Sequence, residues 1–145
     1  MNDCTVYTTS FGHYDNFPEG RGVAFLNPVF EAKGWEVREA IVPFKDLTRN
    51  ARMHKVLSHL FIDTEWSLWT DGAVRWKIDP QEFFEVYKGQ GDLIVHKHGA
   101  RDCLYSEAFA CIDLGLDEKS VVESHTARYR TAGFPGSFSG GGSMG

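Results

Sequence analysis

The alternation of hydrophobic and polar positions changes period several times along this chain. Residues 4–11, CTVYTTSF, are rich in β-branched and aromatic types and run into the turn formers of GHYDNFPEG, which predicts a first strand with a loop beyond its C-terminal end. Shorter runs at 22–27 (GVAFLN) and 35–42 (WEVREAIV) predict two more strands, separated by PVFEAKG. From Asp46 the period becomes helical. DLTRNARMHKVLSHLF puts Met53, Val56, Leu57, Leu60 and Phe61 on one stripe, with Asp46 as N-cap. WSLW at 66–69 predicts a strand, AVRWKI at 73–78 a strand returning beside it, and Asp79-Pro80 the opening of a short helix. DLIVHKH at 92–98 reads as another strand. CLYSEAFACIDLG follows as a helix with Leu104, Ala108, Cys111 and Ile112 on one side, and KSVVESHTARYRTAG as the last helix.

Strands alternating with helices predict an α/β domain with a mainly parallel central sheet. Sheets of that kind bind ligands beyond the C-terminal ends of their strands, where Asp15, Asp71 and His98 are expected. The expected domain covers 1–135. Residues 136–145, half of them glycine and without an apolar period, read as a flexible Gly/Ser-rich tail.

Composition narrows the classes. At 145 residues with 42% hydrophobic positions the chain has enough material for a real core. No run approaches the ~20 apolar residues of a membrane helix, and the first residues lack the basic start of a signal peptide, so the expectation is a soluble, cytoplasmic protein. Cys4, Cys103 and Cys111 have no Cys-x-x-Cys spacing and read as buried thiols in a reducing compartment. A net charge of −5 argues against binding nucleic acid or anionic membrane through bulk charge.

Several residues carry candidate chemistry beside a plainer reading. Arg49, Arg52, Lys55 and His59 recur at helical spacing, which suits either a solvated face or the grip of a diphosphate. Asp71, followed by Gly72, is either the first residue of a hairpin turn or a carboxylate placed to hold a divalent cation together with phosphates. His96 and His98 share one side of the predicted strand, but no third ligand is placed, so zinc is a weak inference. Nearby Arg101, Asp102, Tyr105 and Glu107 crowd a strand-to-helix junction, where Asp102 would serve as cap and Glu107 would pair with a neighbour in the plain reading. His13, Tyr14 and Asp15 lie in the first loop, and Asp15 could accept hydrogen bonds from a base or ribose. His54 and His125 read as ordinary helix histidines.

Five blocks in order, VYTTSFGHYDNF, TRNARMHKVLSHLF, WSLWTDG, DLIVHKHGARDCLYSEA and ARYRTAGFP, resemble a glycosyltransferase-like family long catalogued as a domain of unknown function. Its members include plant Golgi proteins of pectin and mucilage synthesis and bacterial and phage proteins. The resemblance implies a Rossmann-like, GT-A-type sheet flanked by helices, shortened at the C-terminus, that binds a nucleotide-sugar donor and transfers the sugar to an unknown acceptor. It would place Gly12 and Asp15 at the nucleotide end of the first strand and Arg49, Arg52 and Lys55 toward the diphosphate. Asp71 would stand at the acidic motif that holds a divalent cation, Mn²⁺ or Mg²⁺, or the donor ribose. His98, Arg101 and Glu107 would match the H-x-x-R…E block where donor and acceptor meet. Many GT-A enzymes carry two acids where this chain has Asp71 alone. The alternatives are a non-catalytic nucleotide or nucleotide-sugar binding module and, against the acidic charge, nucleic-acid binding through the basic helix face. A homodimer through exposed apolar surface is a further expectation.

Overall fold

The structure is a computed structural model that describes residues 3–12, 17–96 and 98–136. The chain divides into two compact units, one ending at Asp92 and one beginning at Leu93. No helix among the described residues is long and apolar enough to cross a membrane.

The first unit is built on four parallel strands. These are β1 (Cys4–Phe11), β2 (Gly22–Asn27), β3 (Trp35–Glu39) and β4 (Trp66–Trp69), in spatial order β3-β2-β1-β4. β1, β2 and β4 fall where the sequence pattern puts them, and β3 stops three residues short of its expected end. The chain first adds strands on one side of β1, then returns past it to add β4 on the other. This is an α/β arrangement consistent with a Rossmann-like fold, and the β1/β4 pair is where the strand order reverses.

Alternation along the central strand sorts the core into two layers. Tyr7 and Phe11 join Val23, Phe25, Ala40 and Ile62 on one face, while Ala24, Leu26 and Ala32 form the opposite cluster under Phe17, Phe30, Trp35 and Val37. At the entrance to β2, Gly22 has φ +129°, and a Cβ there would lie 2.1 Å from the Val6 carbonyl oxygen. Only glycine fits that crossing.

Helix α1 (Leu47–Val56) starts where expected: Asp46 accepts from the Thr48 and Arg49 amides at 2.8 and 3.4 Å, a cap contributing about 1 kcal/mol. It ends sooner, giving way to a 3₁₀ turn at Ser58–Leu60, so His59 leaves the basic face on which its spacing had put it. The expected apolar stripe is not what α1 buries. Val56 and Leu60 are 73% and 64% exposed, whereas Asn50 and His54 are fully buried.

Those two polar side chains clamp the segment after β3. Asn50 accepts from the Phe44 amide at 3.0 Å and donates to the Phe44 carbonyl at 2.9 Å. His54 donates from Nδ1 to the Asn50 carbonyl at 2.8 Å and accepts from the Ile41 amide at Nε2, 3.3 Å away. Its ring stacks on Phe61 at 4.4 Å and lies between Phe11 and Phe25. An imidazole that accepts at one nitrogen must be neutral, and an apolar setting suits the neutral form.

The return strand expected at 73–78 is absent. The chain turns at Asp71, whose carbonyl accepts from the Val74 amide at 2.9 Å, and Trp76 donates to Thr70 Oγ1 at 3.2 Å while packing on Phe83. That aromatic carries the segment toward helix α2 (Pro80–Tyr87), instead of along β4. α2 opens as expected, with Asp79 accepting from the Gln81 amide, and buries Phe84 near Trp66.

In the second unit the strand expected at 92–98 is also absent among the described residues. Leu93 and Val95 are 82% and 75% exposed, with no neighbouring strand to take up their backbone groups. Helices α3 (Leu104–Asp113) and α4 (Lys119–Thr131) pack together. Arg130 lies 4.4 Å over the Tyr105 ring, the Tyr105 hydroxyl donates to the Phe134 carbonyl at 2.6 Å, and the Leu104 amide donates to the Gly136 carbonyl.

Burial pushes the His54 imidazole below its ordinary value of 6.5, against a smaller opposing effect of its bond to Asn50. The unfolded chain therefore gains a proton at a pH where the folded chain does not, so stability falls as pH drops below about 6.5. The thermal midpoint is expected to fall between about pH 7.5 and pH 5.5, and His54→Gln, less stable throughout, is expected to flatten that fall. A wild-type midpoint unchanged over this interval would contradict the neutral, buried His54.

Candidate functional site

β4 ends at Trp69, level with Tyr7, while β1 runs four residues further to Phe11. Thr70 continues the pairing by one hydrogen bond, its amide donating to the Tyr7 carbonyl at 3.0 Å. Asp71 is thereby delivered beside the projecting half of β1, at the C-terminal edge and at the reversal of strand order. The fit is tight at Gly72, where a Cβ would lie 3.2 Å from Phe17 and 3.3 Å from the Thr9 carbonyl. Gly12, just past β1, has φ +114° and keeps its amide on the Asn27 carbonyl at 2.8 Å.

The Asp71 side chain is exposed but not loose. Its Oδ1 accepts from the Trp69 indole N–H at 3.0 Å. The Trp69 ring meets Tyr7 edge-on at 5.2 Å, and the Lys55 ammonium sits 5.4 Å over the indole. Tyr7 closes the circle by donating its hydroxyl to the Lys55 carbonyl at 3.0 Å. An acid and a base from distant parts of the chain thus meet around one indole.

The remaining basic residues of α1 behave differently. Arg49 turns to its own N-cap, 3.8 Å from Asp46, while Arg52 is exposed and makes no ion pair among the described residues. Asp15, with His13 and Tyr14, lies outside the described residues.

The projecting half of β1 carries an irregularity that the sequence reading missed. Thr8 and Ser10 are buried, and neither hydroxyl has a hydrogen-bond partner among the described residues. Both point to the face that also holds Thr70. A threonine inside a strand signals only β-propensity, so nothing local could have flagged the unmet hydroxyls.

In the second unit, His98, Arg101 and Glu107, the residues matched to the family's H-x-x-R…E block, come together. Arg101 Nε donates to Glu107 Oε2, and His98 Nε2 stands 3.9 Å from the same oxygen. His98 Nδ1 accepts from the Ala100 and Arg101 amides at 3.2 and 3.1 Å, which fixes the ring and leaves the proton on Nε2. The hydrogen bond from the Arg101 guanidinium holds the Glu107 carboxyl below its ordinary value. Asp102 does not cap α3; the N-cap position is Cys103, which makes no side-chain capping bond.

Among the described residues no three His, Cys, Asp or Glu side chains gather to hold a metal ion. The pair His96 and His98 therefore has no completed zinc set.

A cleft of about 320 Å³ opens at the opposite edge of the sheet, among Arg21, Glu36, Arg38, Asp63 and Asp79. Its arginines are already engaged, Arg21 with Asp79 at 3.4 Å and Arg38 with Glu36 at 2.8 Å. It lies at the N-terminal ends of the strands, so the strand-end site around Asp71 is the better candidate.

A parallel α/β sheet with one acid set at the reversal of strand order defines the class, a Rossmann-like domain. The chain belongs to the family described as TOD1/MUCI70, glycosyltransferase-like domain, whose model matches residues 35–140. That range holds α1, β4, Asp71 and the His98–Glu107 block, while β1 with Gly12 precedes it. No curated protein and no solved structure matches the chain.

Replacing an unmet buried hydroxyl by a methyl of the same shape removes a desolvation cost. Thr8→Val is expected to leave thermal stability unchanged or raise it by up to about 1 kcal/mol, read from a denaturant midpoint. A clear loss would mean that an ordered water satisfies the Thr8 hydroxyl.

Proposed function

We propose that this protein binds a nucleotide-sugar donor at the β1/β4 strand ends and transfers its sugar to an acceptor. The observation that carries the reading is Asp71, fixed by Trp69 at the reversal of strand order with Lys55 beside it, in a chain of a glycosyltransferase-like family. Transfer leaves a nucleoside diphosphate whose negative charge grows as the glycosidic bond breaks. Lys55 and Arg52, with Arg49 if it swings from Asp46, supply the opposing charge. A divalent cation, when bound by Asp71 and the diphosphate, would neutralise that charge further. Asp71 also suits the hydroxyls of the donor ribose, and Gly12 and Asp15 the nucleotide.

His98, Arg101 and Glu107 are assigned a role in contacting sugar. Glu107, held ionised by Arg101, accepts hydrogen bonds and is poorly suited to donate a proton. His98 Nε2–H is a donor for a sugar hydroxyl.

The engagement of Glu107 by Arg101 also favours a second reading, a module that binds the donor without transferring it. A carboxylate already satisfied by a guanidinium is a weak base for activating an acceptor. Turnover separates the two: release of UDP or GDP that depends on an acceptor supports transfer, and saturable binding with no release across a broad acceptor panel supports the module.

A thermal-shift panel of UDP- and GDP-sugars, with and without Mn²⁺, tests donor binding itself. A ligand at ~100 times its Kd stabilises the folded state by about 2.7 kcal/mol, a rise of several degrees for a chain of this size. The expected result is a rise with one donor that Asp71→Ala abolishes. No rise with any donor, in either condition, would sink the proposal.

A further inference from the structure

Trp69 touches both charged members of the strand-end site, and it does so with opposite parts of its ring system. Its N–H edge, the electropositive part of an indole, faces Asp71 Oδ1 at 3.0 Å. Its electron-rich face lies under the Lys55 ammonium, 5.4 Å from the ring centre. Neither contact cancels a charge. No ion pair forms between Lys55 and Asp71, and Asp71 Oδ2 accepts no hydrogen bond from the described residues.

The indole itself has little freedom. Tyr7 packs against it at an interplanar angle of 72°, and the Tyr7 hydroxyl holds the backbone of Lys55. β1, α1 and β4 therefore meet at this one ring. A lysine and an aspartate that met without a spacer would gain by pairing with each other, and each would then be lost to a ligand.

We propose that Trp69 is a positioning residue for the donor site: its N–H edge aims the Asp71 carboxylate, its face seats Lys55, and the indole keeps the two from collapsing into a salt bridge. The ligand this serves has an anionic group for Lys55 and, next to it, a hydroxyl pair or a phosphate-bound cation for Asp71. A nucleoside diphosphate carries both. The inference rests on the donor-binding reading above and adds a residue to which no role has been given.

Trp69→Phe keeps an aromatic face for Lys55 and removes the N–H, while Trp69→Leu removes both. Titration of the full chain with UDP and with GDP, each with Mg²⁺, is expected to show affinity lowered about tenfold by Trp69→Phe and further by Trp69→Leu. In an Asp71→Asn background Trp69→Phe is expected to have much less effect, because its action passes through the carboxylate; a packing role would cost the same in both backgrounds. NMR supplies a reading that depends on neither variant's folding. The Trp69 indole N–H resonance of the ligand-free wild type is expected to differ from that of Asp71→Asn, and to shift when the diphosphate binds. An indole resonance indifferent to Asp71→Asn overturns the inference. So does diphosphate binding that Trp69→Phe leaves unchanged, with the donor site itself intact. Failure of the wild type to bind any diphosphate or donor overturns the function proposed above, and the role of Trp69 falls with it.

Discussion

The buried hydrogen bonds of Asn50 and His54 are the constraint on which the first unit depends. Both project from the inner face of α1 into an otherwise apolar layer, and each satisfies backbone groups of the segment that leaves β3. A buried amide or imidazole is tolerated only when its polar atoms are paired, so the clamp admits one placement of the helix over the sheet. Sliding α1 by a turn would leave the Ile41 and Phe44 amides and the Phe44 carbonyl unmet, together with the Asn50 amide group and His54 Nε2. Since Lys55 follows His54 directly, the same clamp decides where its ammonium lies. Stability and site geometry are therefore one problem at this helix.

The site uses charge without spending it. Around Trp69 an acid and a base each contact the indole without pairing with each other, because an indole orients by its quadrupole and a single N–H. The cluster in the second unit works the other way. There Arg101 and Glu107 satisfy each other directly, which holds Glu107 ionised and leaves His98 as the group with a proton to offer. Both clusters lie within the range that matches the glycosyltransferase-like family, with the exception of Tyr7 beneath Trp69.

The N-terminal edge shows why concavity alone is a poor guide. The cleft among Arg21, Glu36, Arg38, Asp63 and Asp79 is a defined cavity, yet both of its arginines are already paired and it lies where parallel sheets do not place their ligand loops. At the other edge the Asp71 carboxylate is exposed, and among the described residues its Oδ2 accepts no hydrogen bond.

Much of the local structure was legible from the chain alone. Asp46 and Asp79-Pro80 marked helix starts, the β-branched runs marked β1, β2 and β4, and five ordered blocks pointed to the family. Such signals act within a few residues, through a cap, a ring-locked φ or a β-branched side chain, so they need no knowledge of distant neighbours. His98, Arg101 and Glu107, which only the family resemblance singled out as a set, are also locally joined, since a loop and one helical turn suffice to bring them together. What the tertiary structure alone decided was which side chains each element hides. α1 buries asparagine and histidine in place of its apolar stripe, the segment at 73–78 follows Trp76 to α2 and forms no ladder with β4, and the run at 93–95 finds no neighbouring strand. Lys55, Trp69 and Asp71 meet only because β4 pairs with β1. Strand order and burial depend on contacts between residues dozens of positions apart, and no periodicity in a single sequence encodes those.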